Sequence, residues 1–291
     1  MCIKKASSWL SQTQNVRAAG NVYWRVSRIG NKFYKIAFPV YRPLYGAFKA
    51  YADRAERRLL ARYLSPGSTV VDAGANIGVY SQFLARCVGL GGVVHSFEPS
   101  PENFGRLHAA LSEFSNVRLN QLAVSDKTGD SLLYVSEELN VDHRAYPIEG
   151  ETRRTLSIRT TMLDDYFKPG ERVDFIKMDV QGYELHVLLG AKRVMQENPD
   201  IKLLLEFWPY GLKQAGTRWE ELIEMLRDFG MDLVVVSKKT LMPLAAADVR
   251  SDISWYVNIF ASRGRRGIRG CPGSRAEPST GAATWIPGRS F

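Results

Sequence analysis

The sequence predicts an α/β protein with a mostly parallel sheet of about seven strands, helices on both faces and a helical lead-in at the N-terminus. Two observations predict it. Between residues 66 and 262, apolar runs of strand length alternate with segments of helical period, the pattern of a parallel sheet wrapped by helices. The first of those runs breaks at a glycine-rich turn, VVDAGANIGVYSQFLA (Val70 to Ala85), and restarts with helical spacing.

Taken in order, the strand candidates are TVVDAG (69–74), VVHSFEP (93–99), VRLNQLAV (117–124), DFIKMDV (174–180), IKLLLEFW (201–208), MDLVVVS (231–237) and ISWYVNIFAS (253–262). Helical patterns follow the first, second, fourth and fifth. Two further runs, SLLYVS (131–136) and LSIRTTML (156–163), interrupt the alternation and predict an antiparallel excursion. Before them, residues 1–59 form a basic lead-in whose apolar stripe from about Tyr45 has helical spacing, and 263–291 is rich in Gly, Arg, Pro and Ser without periodicity, which predicts disorder. The domain expected to carry the chemistry is therefore 60–262.

Charge is unevenly spread. Residues 1–65 hold 13 basic and 2 acidic residues, 66–262 hold 20 and 27, and 263–291 hold 6 and 1. A central domain that is acidic argues against nucleic acid, so none is expected as a partner. Lys32, Lys35 and Arg42 beside Phe33, Tyr34 and Phe38 admit peripheral contact with a membrane surface. Cys2, Cys87 and Cys271 are too few and too scattered for a disulfide framework or zinc site. No secretion signal or membrane-spanning run is read, and a cytoplasmic location is expected.

In an open α/β sheet, ligands bind beyond the carboxyl ends of the strands. That rule selects Gly74 to Gly78, Glu98, the region of Ala123, Asp179 and Glu206. A strand that turns through glycine into a helix presents free N–H groups and a positive dipole end. The spacing here is G-x-x-x-G rather than G-x-G-x-x-G, and Ala75-Asn76 stands where a second glycine would let a pyrophosphate approach, so the turn suits an adenosine cofactor lacking a diphosphate. Glu98, 24 positions after Gly74, is placed to accept from two ribose hydroxyls. Asp72 lies inside the first strand, where a charge must be hydrogen-bonded to the turn or to a ligand. Asn76 serves either a left-handed backbone position or a ligand carboxylate.

In FIKMDVQGYELHVLLGA, Lys177 and Asp179 share one face of a strand, which admits a structural ion pair or an Asp179 directed at cofactor or substrate. Glu184 and His186 diverge by about 200 degrees on a helix, so one of them faces away from the crevice. Glu206 ends an apolar strand before Trp208-Pro209, and caps a helix or serves the chemistry. His143, in the loop of residues 137–155, is a third candidate base above the crevice. Asp164-Asp165 does not suggest a metal, since adjacent carboxylates point apart, and no metal is expected.

The motifs VVDAGANIGVYS, FEPSPENF, LNQLAVSDKTG, LDDY, FIKMDVQGYELHVLLGA and LLLEFWP, in that order over about residues 60–262, resemble the FkbM-type family of S-adenosylmethionine-dependent methyltransferases. The resemblance implies a class I methyltransferase fold, Rossmann-like, with Gly74, Ala75, Asn76 and Gly78 at the methionine end of the cofactor, Glu98 on the ribose and Ala123 beside the adenine. It implies O-methylation of a sugar, glycan or secondary-metabolite hydroxyl, a small-molecule or carbohydrate acceptor as partner, and S-adenosylmethionine as cofactor. An N or carboxyl acceptor, or a non-catalytic scaffold for membrane or protein partners, are the alternatives. Gln181 departs from the family's D-x-E-G-x-E, which removes any role resting on that carboxylate. A hydroxyl nucleophile must lose its proton as the bond forms, and Asp179, Glu206 and His143 are the residues placed to take it.

Overall fold

The computed structural model describes residues 34, 36–136, 142–147, 152–237 and 240–264. Lys32, Phe33 and Lys35 of the predicted membrane-facing set, parts of the 137–155 loop and the tail from 265 onward lie outside the described residues.

Eight strands form the main sheet. Strands β1 (Thr69–Ala73), β2 (Val93–Phe97), β3 (Val117–Asn120), β7 (Phe175–Met178) and β8 (Lys202–Phe207) are parallel, in the spatial order β3-β2-β1-β7-β8. Beyond β8 lies β11 (Val257–Arg263), antiparallel to both β8 and β9 (Met231–Val236), and β10 (Leu241–Pro243) closes that edge as a hairpin with β9. The chain order thus reverses between β1 and β7, and the crevice lies at that switch.

Period-two alternation decides which residues face which layer. In β1, Val70 packs under helices α2 (Arg54–Tyr63), α3 (Val79–Val88) and α4 (Pro101–Leu111), whereas Val71 and Ala73 face α6 (Glu184–Leu189), α7 (Lys192–Glu197), α8 (Pro209–Gln214) and α9 (Trp219–Asp228). Phe175 and Ile176 of β7, and Leu203 and Leu204 of β8, divide the same way. Burial of both sets on two faces accounts for the nearly continuous apolar reading of these strands. Helix α4 starts at Pro101, with Ser100 accepting from the Asn103 N–H at its N-terminus.

Two runs end differently from the sequence expectation. VRLNQLAV is not one strand: β3 stops at Asn120, whose side-chain amide donates to the Ser96 carbonyl, and β4 (Ala123–Val124) joins a separate sheet with β5 (Gly129–Val135) and β6 (Arg154–Thr161). Between them Leu122 crosses the mouth of the crevice. The pair β5–β6 is the expected antiparallel excursion. The strand assigned to 253–262 begins only at Val257, because the chain turns at Asp252 to Trp255 before entering the sheet.

The lead-in packs against the domain. Helix α1 (Phe38–Ala52) lays Tyr41 and Tyr45 against Val79 and Ile77, with Tyr34 buried beside them and its hydroxyl donating to Asn103 at 2.6 Å. Arg106 lies over the Tyr34 and Phe38 rings. Tyr34 is therefore buried against protein, and Phe38 packs half-buried beside it. No helix among the described residues is long and apolar enough to cross a membrane.

Candidate active site

A cleft of about 390 Å³ lies over the carboxyl ends of β1, β2, β7 and β8. Gly74, Ala75, Asn76, Glu98, Ala123, Asp179, Glu206 and His143 all line it, from six separate segments of the chain. Asp72 and Gly78, also expected to contact the cofactor, do not.

Asp72 is wholly buried beneath the turn. Being one residue out of phase with Val71 and Ala73, it points toward α3, where Ser81 donates to one oxygen at 2.7 Å and the Lys177 ammonium lies 3.1 Å from the other. Gly78 sits at φ +82 where a Cβ would meet Leu107 at 2.8 Å and Leu111 at 3.0 Å, so it lets α3 and α4 pack rather than touching a ligand. Gly74 is the glycine that shapes the cleft. A Cβ there would lie 2.0 Å from the Asp179 carbonyl, so only glycine lets β1 and β7 run out side by side into the crevice. Asn76 takes the left-handed backbone at φ +49, and its N–H points at Glu98.

The Glu98 carboxylate is buried and accepts 2.9 Å hydrogen bonds from the Asn76 and Ser100 N–H groups, one on each oxygen. The Asn103 side chain also bonds it, which leaves part of a carboxylate's roughly four acceptor sites for hydroxyls. Burial pushes its pKa up to about 7 against the pull of those N–H groups, with Asp72 adding to the rise. Around it Ala75, Phe97, Leu122, Val124 and Met178 are apolar. Apolar walls beside a carboxylate with spare acceptors, floored by a turn only glycine can make, fit an adenosine.

The other half of the cleft is polar. Asp179 and Glu206, at neighbouring strand tips, are joined by Gln181, whose amide donates to both at 3.0 and 3.2 Å. That amide stands where a third carboxylate would repel its neighbours, and it explains how two acids share one wall. Gln181 adopts φ +57 and is held from behind by the Tyr146 hydroxyl on its carbonyl at 2.6 Å. Burial, then Asp179 and Glu184, hold the Glu206 carboxyl well above the usual range. Glu206 does not cap a helix; its recorded partner is Gln181.

His143 borders the same space, but its Nδ1 accepts from the Ser136 N–H at 3.2 Å, and burial lowers its pKa to about 4. The ring is therefore neutral with its proton on Nε2, a donor with no free basic nitrogen. Neither His186 nor Glu184 lines the cleft: His186 stacks on Tyr183 and pairs with Asp126 at 3.1 Å. Glu184 is buried beneath the 180–182 turn, accepting from the Val180 and Gly182 N–H groups.

Several lining residues were not among the sequence candidates. Lys49 comes from α1, Asp53 from the junction and Glu56 from α2, with Lys49 2.6 Å from Asp53, the Tyr80 hydroxyl on Asp53 at 2.9 Å, and Asn258 of β11 on Glu56 at 2.9 Å. A signal existed: Asp53 and Glu56 are the only acids in the first 65 residues. Arg144, in the loop expected over the crevice, also lines it, buried over the Trp208 ring at 5.2 Å and paired through Nε with Asp142 at 2.7 Å. Among the described residues no group of three or more His, Cys, Asp or Glu is arranged to hold a metal.

The family model described as a methyltransferase FkbM domain matches residues 72–233. Over 159 residues the chain is 24% identical to the 2-O-methyltransferase NoeI of Sinorhizobium fredii, covering 49% of this chain and 65% of that protein. It is 45% identical over 67 residues to the 31-O-demethyl-FK506 methyltransferase FkbM of Streptomyces tacrolimicus, covering 23% and 25%. Over 143 residues it is 27% identical to the hexuronic acid methyltransferase AglP of Haloferax volcanii, covering 48% and 56%. The matches span less than two thirds of each relative's own length.

Proposed function

The chain belongs to the methyltransferase FkbM domain family; from that premise we propose that it is an S-adenosylmethionine-dependent methyltransferase that methylates a hydroxyl oxygen on a sugar, glycan or other secondary metabolite. The observation that carries the proposal is the pair Asp179 and Glu206, bridged by Gln181 on the polar wall of the cleft. When bound, S-adenosylmethionine would supply a methyl group on a sulfonium whose sulfur departs as a neutral thioether needing no proton. The protein's own task is to align the acceptor, exclude water and receive a proton.

Gly74 to Asn76 and Glu98 would hold the cofactor, with Glu98 taking two ribose hydroxyls and Ala123 lying against the base. Glu206 would act as the base. Its raised pKa brings it closer to the operating pH, where a carboxylate accepts a hydroxyl proton more readily. Asp179 would hold the acceptor hydroxyl toward it. Helices α1 and α2 close the acceptor side through Tyr45, Lys49, Asp53 and Glu56, which limits water. Two of the relatives bear names that specify transfer to oxygen, and a third acts on a uronic acid, which supports an oxygen on a carbohydrate or a small metabolite.

The test is transfer of labelled methyl to a panel of sugars, glycans and polyphenols, with product mass analysis. An ether product that disappears with Glu206→Gln while cofactor binding persists is the expected result. Products methylated only at nitrogen or at a carboxyl group would overturn the assignment.

A further inference from the structure

Behind Tyr80 lies a second recess of about 310 Å³, walled by Arg42 and Gly46 of α1, Arg57 of α2 and Gln82, Phe83 and Arg86 of α3. Three guanidiniums meet there, and none forms an ion pair with an acid among the described residues. Arg42 makes one long contact, 3.5 Å to the Gln82 side-chain oxygen, and Arg57 rests over Phe83 at 4.9 Å and Tyr80 at 5.6 Å. The Nε atoms of Arg42 and Arg57 are buried without partners. Burial, followed by repulsion from Arg86, lowers the pKa of Arg42. Residues 1–33 contain no Asp or Glu, so that part of the chain cannot neutralise the cluster.

Arg42 and Arg57 are half-buried and Arg86 is exposed, so like charges without a counter-ion among the described residues line a recess that an anion can enter from solvent. Arg86 alone would be explained as a cation in the last turn of α3. That explanation does not extend to Arg42 and Arg57, which come from two other helices. Three planar forks match the several oxygens of a phosphate better than a single carboxylate.

The recess adjoins the acceptor half of the cleft. Val79 lines both, and the Tyr80 ring stands between Arg57 at 5.6 Å and Lys177 at 5.1 Å from its centre. We propose that Arg42, Arg57 and Arg86 bind a phosphate or pyrophosphate carried by the methyl acceptor, so that the acceptor is a phosphorylated sugar or metabolite. This rests on the hydroxyl-acceptor reading above, but the anion site itself is tested independently of transfer.

The experiment titrates the full chain with inorganic pyrophosphate, with glucose 1-phosphate and with phosphatidylglycerol vesicles, for wild type, Arg42→Ala, Arg86→Ala and Arg86→Lys. Expected is binding of both soluble phosphates, weakened at least tenfold in each alanine variant and less in Arg86→Lys. Pyrophosphate should also raise the melting temperature of wild type but not of the alanine variants, which should themselves melt no lower than wild type. S-adenosylmethionine should bind all four proteins equally. If it binds none, the methyl-transfer reading fails while the phosphate result stands. Absence of phosphate binding, binding indifferent to the arginines, or arginine-dependent binding of vesicles alone would overturn the proposal. So would pyrophosphate inhibition of transfer that is not competitive with the acceptor.

Discussion

Lys177 of β7 reaches across to Asp72 of β1, its directly opposite register partner, and places its ammonium 3.1 Å from a carboxylate that solvent does not touch. Burial alone would lower the lysine pKa, but Asp72 and then Asp179 outweigh it and the net shift is upward. The pair, with Ser81 on the second Asp72 oxygen, ties the turn before α3 to the strand that carries Asp179. Removing one partner leaves a buried charge uncompensated, which costs about 3–5 kcal/mol. Lys177→Met should therefore lower the unfolding free energy in urea by that order at pH 7. Adding Asp72→Asn should restore a large part of it, and a double variant no more stable than Lys177→Met would show that the pair does not act as a unit.

How far the site could be read in advance follows from what each residue depends on. Glu98 and Glu206 were legible because a carboxylate at the tip of an apolar strand has few structural uses. The partner of Lys177 was not, since spacing along one strand offers only Asp179, now 4.0 Å away, whereas Asp72 is brought opposite by sheet register. Asp72 was left between the turn and a ligand because the letters do not say which layer its side chain faces; Val71 and Ala73 decide that only once their helices are placed. Gln181 stood out as a departure, but its bridging role needs the lateral neighbourhood of β7 and β8. Lys49, Asp53 and Glu56 were missed because nothing local ties α1 to the crevice. Their docking comes from long-range aromatic packing around Ile77.

Glu98 makes cofactor binding pH-dependent. In the free protein its pKa is pushed up to about 7, chiefly by burial. The ionised form is the better acceptor for two hydroxyls, so a bound ribose lowers that pKa and affinity rises with pH until about 7, then levels. Calorimetry with S-adenosylmethionine at pH 5.5, 6.5 and 8 should show tighter binding up the series. Glu98→Gln should bind more weakly and without that slope; a wild type that also shows no slope would remove Glu98 from the ribose.

Glu184 gives the opposite kind of linkage, a cost to folding. Burial raises its pKa from 4.5 to about 7, and one of its oxygens is buried without a hydrogen-bond partner. A carboxyl that is harder to ionise when folded favours folding at low pH and loses that contribution as pH climbs from about 4.5 through 7. Glu184→Gln keeps an oxygen for the Val180 and Gly182 N–H groups but cannot ionise. It should match wild type near pH 4.5 and exceed it at pH 8 by up to about 3 kcal/mol, at roughly 1.4 kcal/mol per unit. Urea unfolding at the two pH values measures the difference, and equal stability at pH 8 would mean that burial does not penalise this carboxylate.

The division of labour between Glu206 and His143 is the sharpest kinetic question. Both border the acceptor half, yet His143 has spent Nδ1 on the Ser136 N–H and stays neutral, while Glu206 keeps a carboxyl whose pKa burial and Asp179 raise. General-base catalysis contributes about 10²- to 10⁴-fold. Glu206→Gln should lower kcat by that factor with S-adenosylmethionine affinity unchanged, because the amide preserves the contact with Gln181 but accepts no proton. His143→Ala, losing only a hydrogen-bond donor, should cost far less in kcat and act mainly on the KM for the acceptor. Wild-type kcat should fall as pH drops through the raised Glu206 pKa, and the variant should lose that acid limb. Were Glu206→Gln to retain full activity while Asp179→Asn lost it, the base would be the aspartate, and the raised pKa of Glu206 would be a consequence of sharing its wall.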